Sequence, residues 1–173
     1  MQHSSRLAAH THKKIVSLAL GALLILQCLS CSFPRVSVLE DPLTPEEHLN
    51  LGVAYEKRGE LDSAIKEYKL AAGEHPLAYL YLGTAHFRIN EFNKAEHYFK
   101  KSITESPEHA DAYNNLAWLY YVKKTNLNRA EKLALKAIEL NPSKRDIYDD
   151  TLNKIRELKK SVIQDSPVEN PSE

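Results

Sequence analysis

Apolar side chains recur along the middle of this chain at helical rather than strand spacing. Tyr113, Leu116, Ala117 and Tyr120 stand at i, i+3, i+4 and i+7, which is one face of an α-helix. The polar stretch Lys124-Thr125-Asn126 follows, with side chains able to bond their own backbone and so favour a turn. Ala130, Leu133, Ala134, Ala137 and Ile138 then mark a second helical face. Pro142 closes it, because proline lacks an N–H and disfavours α geometry in the residue before it. The pattern predicts a helical hairpin over 110–142.

The same frame occurs twice upstream. Leu51, Gly52, Tyr55, Ala64, Tyr68, Ala71 and Pro76 form one copy, and Tyr79, Leu82, Gly83, Ala95, Phe99 and Pro107 another. The first predicted helix spans 45–58. Thr44 is its N-cap, Pro45 its first residue, and Glu46 and Glu47 lie in the first turn, where the helix dipole favours acids. Gly59 breaks it, and a second helix runs to residue 74. The second copy predicts helices over 76–89 and 92–105. Beyond Pro142, Ser143 is placed to cap a last helix over 144–161. Ile147, Tyr148, Leu152, Ile155 and Leu158 form its apolar stripe, and charged residues occupy its other faces.

These copies resemble the tetratricopeptide repeat (TPR), a helix–turn–helix unit with small residues where its helices cross, large ones beside them and a closing proline. Gly52 and Gly83 are 31 positions apart, and Gly83 and its counterpart Ala117 are 34 apart, the family's own period. The first repeat is therefore three residues short, and the shortening is expected between its second helix and the next repeat. Ten positions separate Tyr120 from Ala130 where the other copies have nine, so the third turn carries one insertion. The resemblance implies an all-α TPR solenoid of three repeats, 45–75, 76–109 and 110–142. A helix over 143–161 then caps it, its charged outer face keeping the last repeat soluble.

Residues 1–30 read differently. Arg6, Lys13 and Lys14 precede an apolar run over 15–29, which is short of the roughly 20 residues a membrane-spanning helix needs and suits the core of a signal peptide. The segment Leu29-Ser30-Cys31 resembles a bacterial lipoprotein signal, in which the cysteine becomes the acylated first residue of the mature chain. Cys28 stands where that signal usually has leucine. An ordinary cleaved signal and a retained anchor are the other readings. The lipoprotein resemblance implies acyl chains on Cys31 and a membrane tether, with the helices outside the cytoplasm. Ser32 and Phe33 are not the aspartate that holds enteric lipoproteins at the inner membrane, so the expected site is the outer membrane, facing the periplasm. Residues 31–44, with Pro34 and Pro42, read as an extended linker. Residues 162–173, with two prolines, three acids and no base, read as a disordered tail.

Charge narrows the partners. The chain carries 23 basic and 23 acidic side chains, and no acid precedes Glu40, so removal of the first thirty residues leaves an acidic excess. That argues against nucleic acid, whose phosphates need Lys and Arg in excess on one face. No Gly-rich phosphate loop, HExxH, CxxC or serine elbow occurs. His48, His75, His86, His97 and His109 do not fall at metal-ligand spacing on one helix face and read as surface or packing residues. The expectation is a non-enzyme with no cofactor, no metal and no small-molecule substrate.

What remains is a surface. In TPR proteins the first helices of successive repeats line a concave groove that takes extended peptides or partner helices. The resemblance carries this groove onto Leu49, Val53 and Glu56 of the first repeat, Leu80, Thr84 and Phe87 of the second, and Asn114, Trp118 and Tyr121 of the third. The cap would add Asp149, Asn153 and Arg156. The set is read as exposed, with Phe87, Trp118 and Tyr121 forming an aromatic patch of the kind that marks binding sites. The same patch is open to cover by the linker or tail, or to dimerisation. Leu49 and Val53 replace the polar set that lets some TPR groups clamp a C-terminal carboxylate.

The expected function is a protein–protein adaptor of the bacterial cell envelope. The alternatives are an accessory subunit of an exported hydrolase and a self-associating scaffold. The first of these rests on residues 41–48 and the first repeat, which are similar to the TPR tail of some papain-like cysteine peptidases.

Overall fold

The computed structural model describes residues 41–164; Cys31 and the signal and linker predicted before Asp41 lie outside the described residues, as does the tail after Gln164. Among the described residues seven α-helices follow one another: α1 (Pro45–Lys57), α2 (Leu61–Ala71), α3 (Leu77–Arg88), α4 (Phe92–Glu105), α5 (Ala110–Val122), α6 (Leu127–Leu140) and α7 (Arg145–Gln164). A single 3-10 turn, Pro142–Lys144, precedes α7, and no strand occurs among the described residues. The helices pack as hairpins, α1 on α2, α3 on α4 and α5 on α6. Each hairpin stacks on the next through α2 on α3 and α4 on α5, and α7 lies against α5 and α6. This is the all-α TPR solenoid the repeats predict.

Helix starts follow the local chemistry. At α1 the Thr44 hydroxyl accepts from the Glu47 N–H at 3.2 Å while the Glu47 carboxylate accepts from the Thr44 N–H at 2.8 Å, a reciprocal capping box. Those bonds from Thr44 hold the Glu47 carboxyl below its usual range. The cap of the last segment differs from the expectation. Asn141, not Ser143, is the capping side chain, and its Oδ1 accepts from both the Ser143 N–H and the Ser143 hydroxyl. The last helix also continues to Gln164, so residues 162–164, expected in the tail, are helical.

One departure from the repeat length lies in a turn and the other in a helix. Gly59 and Asn90 have positive φ, +80° and 61°, and each sits in a three-residue turn. In the third repeat Lys124 takes that left-handed position, and the turn has four residues, with Asn126 also left-handed. The inserted residue is thus absorbed by a second αL step and leaves both helices intact. The first repeat loses its three residues from the end of its second helix, not from the link to the next repeat as expected, since α2 has 11 residues where α4 and α6 have 14.

The crossing inside each hairpin depends on a size match. A Cβ on Gly52 would fall 2.5 Å from Tyr68 Cδ1, and one on Gly83 would fall 2.5 Å from Phe99 Cε1, both well inside contact distance. Both rings are buried. At the third crossing the small residue is Ala117, and the helix opposite carries Ala134 in place of a ring; both are fully buried. Where no ring presses on the crossing, a methyl fits.

The junctions between hairpins carry a second recurring device, a buried tyrosine hydroxyl on a carboxylate that a cation also holds. Tyr68 donates to Glu56 at 2.6 Å, and Arg88 of α3 holds the same carboxylate at 2.9 Å. Tyr120 donates to Glu96 of α4 at 2.9 Å, with Lys100 and Lys123 alongside. Tyr148 of α7 donates to Asp111 of α5 at 2.7 Å, beside Lys144. Burial, then the carboxylate acceptor, pushes all three phenols above their usual range. Burial alone would raise the Glu96 carboxyl, but hydrogen bonds from Lys100, Tyr120 and Lys123 outweigh it and hold the group at about 2. Asp111 is likewise lowered, with Lys144 and Tyr148 overcoming burial. Glu131 of α6 is lowered by Lys159 and Arg156 of α7, at 2.5 and 2.7 Å.

Candidate functional site

The nine predicted groove residues lie on α1, α3 and α5, the first helices of the three hairpins, but not all of them are open. Leu49 and Leu80 are buried members of the apolar core, 6% and 8% exposed. Asn114 is also buried, and its Oδ1 has no hydrogen-bond partner. The expectation that the groove set is exposed is corrected for these three. They stand one helical turn before the open positions, and Leu49 and Leu80 sit in clusters shared with the next hairpin. Val53, Glu56, Thr84, Phe87, Trp118 and Tyr121 are half-buried.

Four of the half-buried residues come together, in α3 and α5. Trp118 and Tyr121 pack as tilted rings with centroids 4.9 Å apart, and Phe87 packs on Phe92 at 5.6 Å. Between α3 and α5 a hollow of about 190 Å³ opens, lined by Thr84, Phe87, Phe99, Asn115 and Trp118. Phe99, 2% exposed, belongs to the core, and Thr84 turns its hydroxyl back onto the Leu80 carbonyl at 3.0 Å. The polar group left at this hollow is therefore the carboxamide of Asn115, not of Asn114. Adjacent asparagines on one helix are 100° apart, and only packing reveals which of them faces outward.

The predicted anion of the set, Glu56, is committed to Tyr68 and Arg88. The cap helix contributes differently from the expectation. Asp149 pairs with Arg145 and Arg156 reaches Glu131 on α6. Lys154 is the residue that comes over the site, its Nζ 5.3 Å from the centre of the Trp118 ring, while it bonds Asp150 at 2.6 Å. A cation over an indole face is favoured by the ring quadrupole. Sequence reasoning missed Lys154 and Asn115, though a lysine on the cap helix was already visible as part of a charged face.

Other sites are less suggestive. A larger hollow, about 540 Å³, lies where the α5–α6 turn meets the end of α7, but it is a shallow trench between exposed side chains including Lys124, Asn128 and Arg129. His48 is buried between Glu67 and Asp41, at 2.7 and 3.3 Å, and His86 is buried against Glu91 at 2.6 Å. Burial lowers the His86 pKa despite that carboxylate. Among the described residues no group of three or more His, Cys, Asp or Glu side chains is arranged to hold a metal ion, and no helix is long and apolar enough to cross a membrane.

Comparison with known proteins agrees with this geometry. A model of the tetratricopeptide repeat matches residues 37–79 and 80–145. Over 127 residues the chain is 32% identical to the human protein O-mannosyl-transferase TMTC2, covering 67% of this chain but 15% of that one. The chain thus spans about a seventh of this relative. The first TPR domain of human RPAP3 superposes with a TM-score of 0.65 at 22% identity, over 73% of this chain and all of that one. The first TPR of Spaghetti (RPAP3) bound to the HSP90 peptide SRMEEVD gives a TM-score of 0.61 at 21% identity, over 73% of this chain and 98% of that one. With the repeat model matching more than half of its length, this chain belongs to the tetratricopeptide repeat family.

Proposed function

We propose that this protein is a non-enzymatic adaptor that takes a peptide or helix of a partner protein in the groove formed by α1, α3 and α5. TPR domains are protein-interaction modules, and a structural neighbour holds a peptide. The observation that carries the reading is the hollow walled by Phe87 and Trp118, with Tyr121 packed on Trp118, that no described side chain fills. An adaptor needs such a surface, because half-buried aromatic rings release most of their hydration only when a partner covers them. Nothing at the site resembles a nucleophile with its base, so the chemistry available is recognition.

We further infer an envelope location. The basic start, the apolar run over 15–29 and Leu29-Ser30-Cys31 support export, with acyl chains on Cys31 tethering the adaptor to a membrane, the outer one by the residues after Cys31.

Crosslinking and pulldown from native membranes, with Trp118→Ala beside the wild type, tests the groove. A protein partner recovered by the wild type and lost by the variant is the expected result. The same partners from both would move the site off this face. Trp118 is the better single probe, because Tyr121 also packs against the core and its removal would disturb the fold. Cys31→Ser tests the tether: the variant should pass from the membrane fraction to the soluble one, and its retention would overturn acylation as the anchor.

A further inference from the structure

We propose that the hollow between α3 and α5 is an anchor pocket for one large apolar side chain of a linear peptide, and that Lys154 receives a nearby carboxylate of the same peptide. The proposal rests on the groove reading above and names the chemistry of its ligand.

Size comes first. An apolar cavity of about 150 Å³ accommodates a benzene ring. This one, about 190 Å³, fits one phenyl or branched aliphatic group and is too small for a folded element. Its walls are Phe87, Trp118 and the Phe99 ring beneath, and Thr84 adds a methyl because its hydroxyl is held by the Leu80 carbonyl. A charged or strongly polar side chain would lose its hydration there without replacement.

The lip of the pocket supplies what the backbone of an anchored peptide needs. Asn115 lines the hollow and takes part in no side-chain hydrogen bond among the described residues. A free carboxamide presents two donors and an acceptor, and a peptide unit brings one N–H and one C=O to be satisfied when it is covered. Because the pocket occupies a single residue, the flanking peptide bonds fall within reach of this lip.

Charge selects the neighbour. Lys154 already occupies the Trp118 face as a cation, so a second cation arriving at this ring meets repulsion and a carboxylate meets attraction. Its partner Asp150 lies one turn away on the same helix at 2.6 Å; both side chains are exposed, a pair of that kind contributes little, and the ammonium keeps further donors for a second carboxylate. Glu56, the anion of the predicted groove set, is bonded by Tyr68 and Arg88 and does not call for a basic ligand. The occupant is therefore a partner segment carrying a bulky apolar residue beside an aspartate or glutamate.

The experiment is selection of a phage-displayed library of random dodecapeptides on the full-length protein, followed by titration of synthetic versions of the winners. Trp118, the chain's single tryptophan, reports occupancy by its fluorescence. Enriched peptides should share a large apolar residue flanked by an acid. Asn115→Ala and the pocket-filling Thr84→Met should each weaken them about tenfold or more, as expected for a lost buried hydrogen bond or a blocked cavity. Lys154→Glu should change the selected flanking residue from an acid to Lys or Arg. All three positions lie at least partly in solvent, and unchanged far-ultraviolet circular dichroism checks that the variants fold. Peptides that bind in a Trp118-dependent way but show no apolar anchor, or keep their acid on Lys154→Glu, overturn the proposal and leave the groove reading standing. Failure to select any peptide sensitive to Trp118→Ala overturns both.

Discussion

Replacement of Gly83 by alanine is the sharpest test of the packing inside the repeats, because two opposed effects act on one methyl group. In a helix interior Gly→Ala ordinarily stabilises by about 1 kcal/mol through backbone entropy. Here the new Cβ would lie 2.5 Å from Phe99 Cε1 and nearer still to Cδ1, where carbon atoms prefer about 3.5–4.0 Å. The ring must retreat by roughly 1 Å into a core where it is 2% exposed. Overpacking of that kind costs about 1–3 kcal/mol, so the variant should be destabilised by up to about 2 kcal/mol net. The background decides the sign. Phe99→Ala alone should cost about 3–5 kcal/mol, but adding Gly83→Ala to it should then stabilise by about 1 kcal/mol, since nothing opposes the methyl. Urea unfolding of the four proteins, followed by far-ultraviolet circular dichroism, yields the coupling directly. Ala117→Gly is the companion measurement. With Ala134 opposite, no ring is relieved, and the change should destabilise by about 1–2 kcal/mol from lost helix propensity and lost methyl burial. Stabilisation of the wild-type background by Gly83→Ala would show that Phe99 moves freely and would refute the size-match argument.

Thr44→Ala removes the oxygen that caps α1 and should cost about 1 kcal/mol, visible as faster hydrogen exchange in the first turn of α1 before any change elsewhere. Glu96→Gln should destabilise the junction of the second and third repeats by about 1–2 kcal/mol, because Tyr120, Lys100 and Lys123 lose a charged acceptor. The pH dependence follows from the lowered carboxyls of Glu96, Asp111 and Glu131. Such groups contribute stability that is complete above their unfolded-state values, about 4, and is lost as pH falls through the folded ones, so the urea midpoint should drop between about pH 4.5 and 2. The drop should be shallower in Glu96→Gln, and equal slopes would remove Glu96 from the account.

Much of the fold was legible because the repeat writes the same instruction three times. The proposed 92–105 helix coincides with α4, and Thr44-Pro45-Glu46-Glu47 named both the start of α1 and its cap. The one-residue insertion in the third turn was readable as a count, though not that Asn126 would absorb it at positive φ. Other features depend on what lies opposite in space. Ala117 in place of glycine made sense only once Ala134 was seen across the crossing. The groove set carried over by position named Trp118, Tyr121 and Phe87 as neighbours on one face, but Leu49, Leu80 and Asn114 turn into the core, because stacking of adjacent hairpins, not helix phase, decides which edge of the face is covered. The place of Asn115 and Lys154 at the site was not legible for the same reason: one is a polar residue among polar residues, and the other belongs to a helix whose rotation is set by Tyr148, Leu152 and Ile155.

The tyrosine–carboxylate contacts at the junctions have a spectroscopic meaning. Free phenols ionise near pH 10 and absorb in the ultraviolet as they do so. The chain has nine tyrosines, and Tyr68, Tyr120 and Tyr148 are held protonated beyond that range, one at each step along the stack. An alkaline titration of the folded protein therefore leaves these phenols silent until the joint around each one opens. The rise in tyrosinate absorbance becomes a tally of opened joints, so whether the stack comes apart unit by unit or all at once is written in its steps.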